Sequence, residues 1–189
     1  GIPQSDPGSL QPVSTIDPRV IQVYRQVGLY LRNYRCGKIP KPFKIIPSLR
    51  NWEEMLYYTQ PELWSPQAVY AATKLFSANL NPLHAQRFYN LVLLPHILED
   101  IETNKKCNFH LYQALCRSLF KPVAFFKGII LPVAQVGCRA LPSTILASAL
   151  ARRSIPVIHA AVALLKLSQI PYNGTQMLFI KTLVNKKYC

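Results

Sequence analysis

Three short strings, Asp17-Pro18, Ser65-Pro66 and Asn81-Pro82, each place a helix-capping side chain directly before a proline. Such a pair starts an α-helix. The Asp, Ser or Asn oxygen takes an otherwise unpaired amide of the first turn, and proline, which has no amide, fits the first helical position without loss. No segment shows the period-two alternation of a half-buried strand, so the chain between these marks reads as helix. After Asp17, the residues Val20, Ile21, Val23, Tyr24, Val27 and Leu31 recur at three- and four-residue steps, and Gly37 is expected to end that helix. Further helices are expected near 108–120, 123–136, 143–153, 156–169 and 175–187. Pro40, Pro42 and Pro47 predict an extended connection up to Trp52. Pro95 and Pro132 each predict a kink or break, because a proline inside a helix removes one donor and collides with the preceding turn.

Residues 157–167 are apolar nearly all round, which assigns that helix to the centre of a packed stack. Many antiparallel helices with short loops suggest an all-α, HEAT-like helical-repeat solenoid, although no fixed-length sequence repeat is evident. The Pro/Ser/Gln-rich residues 1–16 read as an extended arm, and residues 17–189 as a single α-helical repeat domain. The longest uncharged apolar-rich runs, 140–151 and 154–165, fall short of the roughly 20 residues that span a bilayer. No apolar secretory core is visible at the N-terminus, so no membrane partner is expected. Five widely spaced cysteines, with no C-x-x-C pair, fit reduced thiols in cytosol or nucleus. Asn173-Gly174-Thr175 matches a glycosylation sequon and is read as a turn.

The charges are segregated. Residues 103–189 hold twelve Lys and Arg and no Asp or Glu, so they carry +12 of the net +14; residues 1–102 hold all eight acids and carry +2. A single-sign surface repels itself and is relieved by a polyanion, of which nucleic acid is the commonest. The candidate RNA-contacting residues are Lys105, Lys106, His110, Arg117, Lys121, Lys127, Arg139, Arg152, Arg153, Lys181, Lys186 and Lys187. Phe109, Tyr112, Cys116, Leu119 and Phe120 form an apolar stripe, while His110, Arg117 and Lys121 fall together on another face, with Lys127 just beyond. Arg152-Arg153 and Lys186-Lys187 close helices, where the helix dipole also favours cations.

Chemistry is hard to find. There is no phosphate-binding glycine loop and no G-x-S-x-G elbow. Glu53-Glu54 and Glu99-Asp100-Glu102 read as solvated faces, because neighbours on a helix point apart. Cys107, His110 and Cys116 offer three candidate zinc ligands with no fourth, and the two cysteines read as small core residues. No catalytic residue, metal, cofactor or small-molecule substrate is expected.

The ordered strings Lys41-Pro42-Phe43-Lys44-Ile45-Ile46-Pro47-Ser48-Leu49, Asn51-Trp52-Glu53-Glu54, Asn108-Phe109-His110-Leu111-Tyr112, Phe126-Lys127-Gly128, Ser154-Ile155-Pro156-Val157-Ile158-His159 and Lys186-Lys187-Tyr188 resemble the bystin (essential nuclear protein) family. The resemblance implies a non-catalytic factor of small (40S) ribosomal subunit assembly, needed for pre-rRNA processing, maturation and export. It implies residence in the nucleolus and nucleus, with shuttling to the cytoplasm on pre-40S particles. It also implies a solenoid that clamps pre-18S rRNA, assembly factors and ribosomal proteins at the subunit head and beak. The family usually carries an acidic N-terminal extension and continues past the tyrosine, so a trimmed core is expected, incomplete at its C-terminus. Where relatives tend to carry acids near 141–144 and at 185, this sequence has none. The rival reading is a helical adaptor that binds an acidic partner protein without touching RNA. A third reading, a nuclear-transport repeat protein, shares only the architecture.

Overall fold

Side-chain caps open three helices where the capped prolines predict them in the computed structural model, which describes residues 15–188. Asp17 accepts from the Arg19 amide at 2.9 Å and starts α1 (Pro18–Arg32). Ser65 accepts from the Ala68 amide at 3.1 Å and starts α4 (Pro66–Asn79), after α2 (Lys41–Lys44) and α3 (Trp52–Tyr58). Asn81 accepts from the His84 amide at 2.8 Å and starts α5 (Pro82–Phe88). The remaining helices are α6 (Leu94–Asn104), α7 (Phe109–Ser118), α8 (Pro122–Phe125), α9 (Leu131–Val136), α10 (Ala140–Arg152), α11 (Val157–Ser168) and α12 (Gly174–Asn185). The described residues are all-α, with no strand among them. The arm expected at residues 1–16 lies almost wholly outside the described residues.

Two expectations near the N-terminus need correction. α1 stops at Arg32, and Gly37, at φ 99°, serves a later turn that glycine tolerates best. The connection with Pro40, Pro42 and Pro47 is not extended. It folds into α2 and a 3-10 turn, Ile46–Ser48, because proline is tolerated in a first helical turn and the turns bury Phe43 and Ile46.

Pro95 and Pro132 do not split their helices, which run on through both; each is absorbed by one shared device. Each follows a π turn, Tyr89–Leu93 before α6 and Phe126–Ile130 before α9. The wider turn moves bonding from i−4 to i−5, as in Leu94 to Tyr89 and Leu131 to Phe126, and so accommodates a proline that cannot donate. The carbonyl four residues before Pro132 belongs to Gly128, and it accepts a 3.0 Å bond from the side-chain amide of Asn90 in the other π turn. A Cβ on Gly128 would come within 2.8 Å of the Gln86 carbonyl oxygen, so the two proline-bearing helices cross with their backbones nearly touching. The strings Tyr89-Asn90-Leu91-Val92-Leu93-Leu94-Pro95 and Phe126-Lys127-Gly128-Ile129-Ile130-Leu131-Pro132 share an aromatic–x–x–aliphatic–aliphatic–Leu–Pro pattern. They are a repeat that the sequence reading did not register.

Around this crossing, α4 lies along α7, α7 also touches α10, and α10 packs on α12. α5 packs on α8, and α12 reaches α9 and α11. α7 and the segment Pro122–Val136 meet at 120°, a tight reversal. The sequon asparagine is not a turn residue. Asn173 caps α12 in a capping box with Gln176 and donates to the Ala134 carbonyl at 2.8 Å. The buried Thr175 hydroxyl lies 2.9 Å from that of Ser143. α11 departs from expectation: Ala160, Ala163 and Leu167 are buried, but Val157, Ile158 (70% exposed), Val162 and Leu165 face outward. It packs mainly on α12 and α9, so only one side of its apolar surface is covered.

One ion pair links α3 to α5. Glu53 takes two guanidinium hydrogen bonds from Arg87, which, with the attraction between the charges, hold its carboxyl below the usual carboxylate range despite an opposing effect of burial. A depressed carboxyl contributes stability above its unfolded pKa and loses it as pH falls through the folded one. Urea denaturation of wild type and Arg87→Ala should therefore differ at neutral pH and converge in acid; an equal gap at both would show that the pair contributes nothing. Gly128→Ala should cost about 1–3 kcal/mol in the same assay, by overpacking the crossing. A cost near zero would mean that the helices can separate there freely.

Candidate nucleic-acid interface

Two helix C-termini converge on one basic cleft. Arg117 stands in the last turn of α7, and Arg152 ends α10 with Arg153 directly after it. Cations suit these positions because terminal carbonyls carry partial negative charge. With α4 and α10 both packed on α7, Tyr70, Arg117, Phe120, Arg152, Arg153 and Ser154 come to line a cleft of about 440 Å³.

The rings hold the cations in place. The Arg117 guanidinium lies 5.3 Å from the centre of the Phe120 ring, Arg152 lies 5.7 Å from Tyr112, and Lys74 lies 5.4 Å from Tyr70. Each pair contributes about 0.5–1 kcal/mol at an exposed site. A guanidinium stacked on a ring still presents its in-plane N–H donors to an anion. Arg117, Arg152 and Arg153 enter no ion pair among the described residues. Burial pushes the Tyr89 hydroxyl up to about 12, against the opposing effects of its hydrogen bond with Ser77 and of the Arg117 charge. The arrangement can bind a phosphate-like anion and offer an aromatic face beside it.

Of the twelve candidate residues, only Arg117, Arg152 and Arg153 share this cleft. Lys105 and Arg139 line a separate one together with Glu102, and the Lys105 ammonium donates to the Glu102 carbonyl at 2.7 Å. Lys186 donates to the Ala151 carbonyl at 3.2 Å and so caps α10; partial burial lowers its pKa. His110 lies two turns from Arg117, edge-on to Phe109 at 5.4 Å. Lys121 does not continue the Arg117 face. α7 ends at Ser118, and Lys121 sits in the following turn with its amide bonded to the Ser118 carbonyl at 3.2 Å. Lys106, Lys127, Lys181 and Lys187 are exposed and line no part of the cleft.

The predicted apolar stripe of α7 is also only partly core. Phe109 (67%) and Phe120 (69%) are exposed, since one opens the helix and the other lies beyond its end. Tyr70, Lys74 and Ser154 were missed. The one-turn spacing of Tyr70 and Lys74 was legible, but only the packing of α4 on α7 brings Tyr70 to the arginines, with Lys74 over its ring and outside the cleft lining. Cys107 is pushed up to about 12 by burial, with Asp100 and Cys116 adding to the shift, so its thiol stays protonated. Asp100 is structural rather than simply solvated, and accepts from the Asn108 amide at 2.6 Å and the Asn104 side chain at 2.7 Å. Among the described residues, no group of His, Cys, Asp and Glu is placed to hold a metal. No single helix among them is long and apolar enough to cross a membrane.

Comparison with known proteins agrees with the quoted strings. Residues 3–189 match the family described as Bystin. The chain is 51% identical to a protein named Bystin from Monosiga brevicollis, over 92% of this chain and 42% of that protein. It is 49% identical to Bystin of Homo sapiens over 94% of this chain and 41% of that one, and 49% identical to Bystin of Drosophila melanogaster over 97% and 42%. The chain thus spans about two fifths of the length of these relatives, with similarity along nearly all of its own length. The chain belongs to the bystin family.

Proposed function

We propose that this chain is the rRNA-holding part of a non-catalytic scaffold for small-subunit assembly. It binds pre-18S rRNA at the arginine cleft and assembly factors or ribosomal proteins elsewhere. In this reading the stacked α4, α7 and α10, with α5–α6 and α8–α9 beside them, form successive units of a HEAT-like solenoid. The protein works in the nucleolus and nucleus and travels to the cytoplasm with pre-40S particles. Family membership supports the non-catalytic reading, since the bystin family is not a known enzyme family.

The single observation that carries RNA contact is the cleft with an exposed ring and three guanidinium groups that enter no ion pair among the described residues. Arg117, Arg152 and Arg153 hold backbone phosphates, which fixes position without reading sequence. Phe120 offers a face to an unstacked base, the usual way single-stranded RNA is gripped. Among the described residues, no carboxylate lines the cleft to repel the backbone.

The test is binding of a pre-18S fragment across a salt series. The log–log slope should be roughly −0.7 to −0.9 per neutralised phosphate. The combined variant Arg117→Ala, Arg152→Ala, Arg153→Ala should flatten it by about two to three contacts. A salt-independent affinity, or an unchanged slope in the variant, would remove the cleft from the reading. If a short acidic peptide competes as well as RNA, the adaptor reading replaces it.

A further inference from the structure

A second cleft carries the opposite sign. α3, the 3-10 turn Pro61–Leu63, α5, the first π turn and α6 enclose about 360 Å³ over a floor that includes Trp52, Leu56 and the fully buried Phe88. Glu53, Glu62 and Glu99 stand among its lining residues. This is a concentration of acid in a chain that holds eight Asp and Glu against twenty-two Lys and Arg. Glu53 already holds the Arg87 guanidinium, whereas Glu62 and Glu99 enter no ion pair among the described residues. Two large apolar groups, Tyr57 (75% exposed) and Leu91 (56%), stand in water among the lining residues. His96 ties the cleft together by a 2.7 Å bond between its Nε2 and the Pro61 carbonyl, so α6 and the 3-10 turn are held at a fixed separation.

From this geometry we infer that the cleft docks a short basic segment of a partner protein, one that inserts a large apolar side chain and sets Lys or Arg against Glu62 and Glu99. The volume lies at the small end of ligand pockets and suits an apolar anchor rather than an extended ligand. Burying the anchor supplies affinity, while the rim carboxylates select a cationic flank and speed encounter. Charge complementarity decides among occupants. RNA is repelled by the carboxylates. The chain's own residues 1–14 contain no Lys or Arg and carry Asp6, so they cannot supply the cationic flank. The inference specifies the partner-binding half of the scaffold proposed above and does not require its RNA half.

The test selects short random peptides from a display library on the wild-type chain, with counter-selection against Glu62→Lys/Glu99→Lys. Both substituted side chains are exposed, so the variant keeps its core; its circular dichroism and RNA affinity serve as checks. Enriched peptides should be net positive around an aromatic or long aliphatic residue. A synthetic copy should lose at least about tenfold in affinity, measured by fluorescence anisotropy, for the charge-reversed chain and for Leu91→Asp. RNA affinity should not fall in either variant, so failure here is distinguishable from failure of the RNA reading. Enrichment of neutral or acidic peptides would overturn the inference, as would no enrichment over the counter-selected chain. It is equally overturned if sedimentation shows a dimer that Leu91→Asp dissolves, because the occupant is then a second copy.

Discussion

The close crossing of two helices at Gly128 is the contact from which the rest is organised. Only a residue without a Cβ lets the second π turn approach the Gln86 carbonyl so closely, and the Asn90 side-chain amide donates to the Gly128 carbonyl, which the Pro132 nitrogen cannot. Proline is costly inside a helix and an unpaired buried carbonyl is costly anywhere. Here both costs are reduced, since each π turn absorbs a proline and one supplies a donor to the other. The crossing fixes α5–α6 against α8–α9. α4, which lies along α7, is tied to the crossing by the buried 2.6 Å Ser77–Tyr89 bond to the first π turn. The arginine cleft is a consequence, because it exists only where α4, α7 and α10 run side by side.

How much of this was readable beforehand depended on the range of the interaction involved. Helix starts at Pro18, Pro66 and Pro82 were legible because a cap and a proline act within one turn. A local disturbance at Pro95 and Pro132 was legible for the same reason, but not that a π turn would carry each helix through, nor the Asn90–Gly128 bond, which joins residues far apart in sequence. The exposed faces of Phe120 and α11 went unseen because periodicity reports which residues could face a core, not whether another element arrives to make one. Lys121 was placed beside Arg117 by counting along a helix that in fact stops at Ser118.

The candidate site shows the same limit in its charges. Sequence alone marked residues 103–189 as acid-free, which is a sum over the chain and needs no structure. It could not sort its cations. Lys186 and Lys105 are engaged with carbonyls, where a donor is needed to close a helix end, whereas Arg117, Arg152 and Arg153 are stacked or free at a shared surface. The helix dipole explains why any one of them stands at a C-terminus, but not why two C-termini converge with no acid between them among the described residues. That convergence makes the field at the cleft a property of the packing rather than of any single helix.

The acid-lined cleft and the arginine cleft are separated by packed core. Phe88 lies in the floor of the first, and the next residue, Tyr89, is buried on α4 within reach of the Arg117 charge. Phe88 packs on Phe76 at 4.6 Å between ring centres, and neither ring is exposed. A close-packed aromatic core has no spare volume through which a side-chain shift at one cleft could be relayed to the other. The two surfaces are also opposite in sign, so a ligand of either charge is drawn to one and repelled by the other. Separation by sign and by rigid packing together would let one short chain hold the proposed polyanion and cationic peptide at once, without either displacing the other.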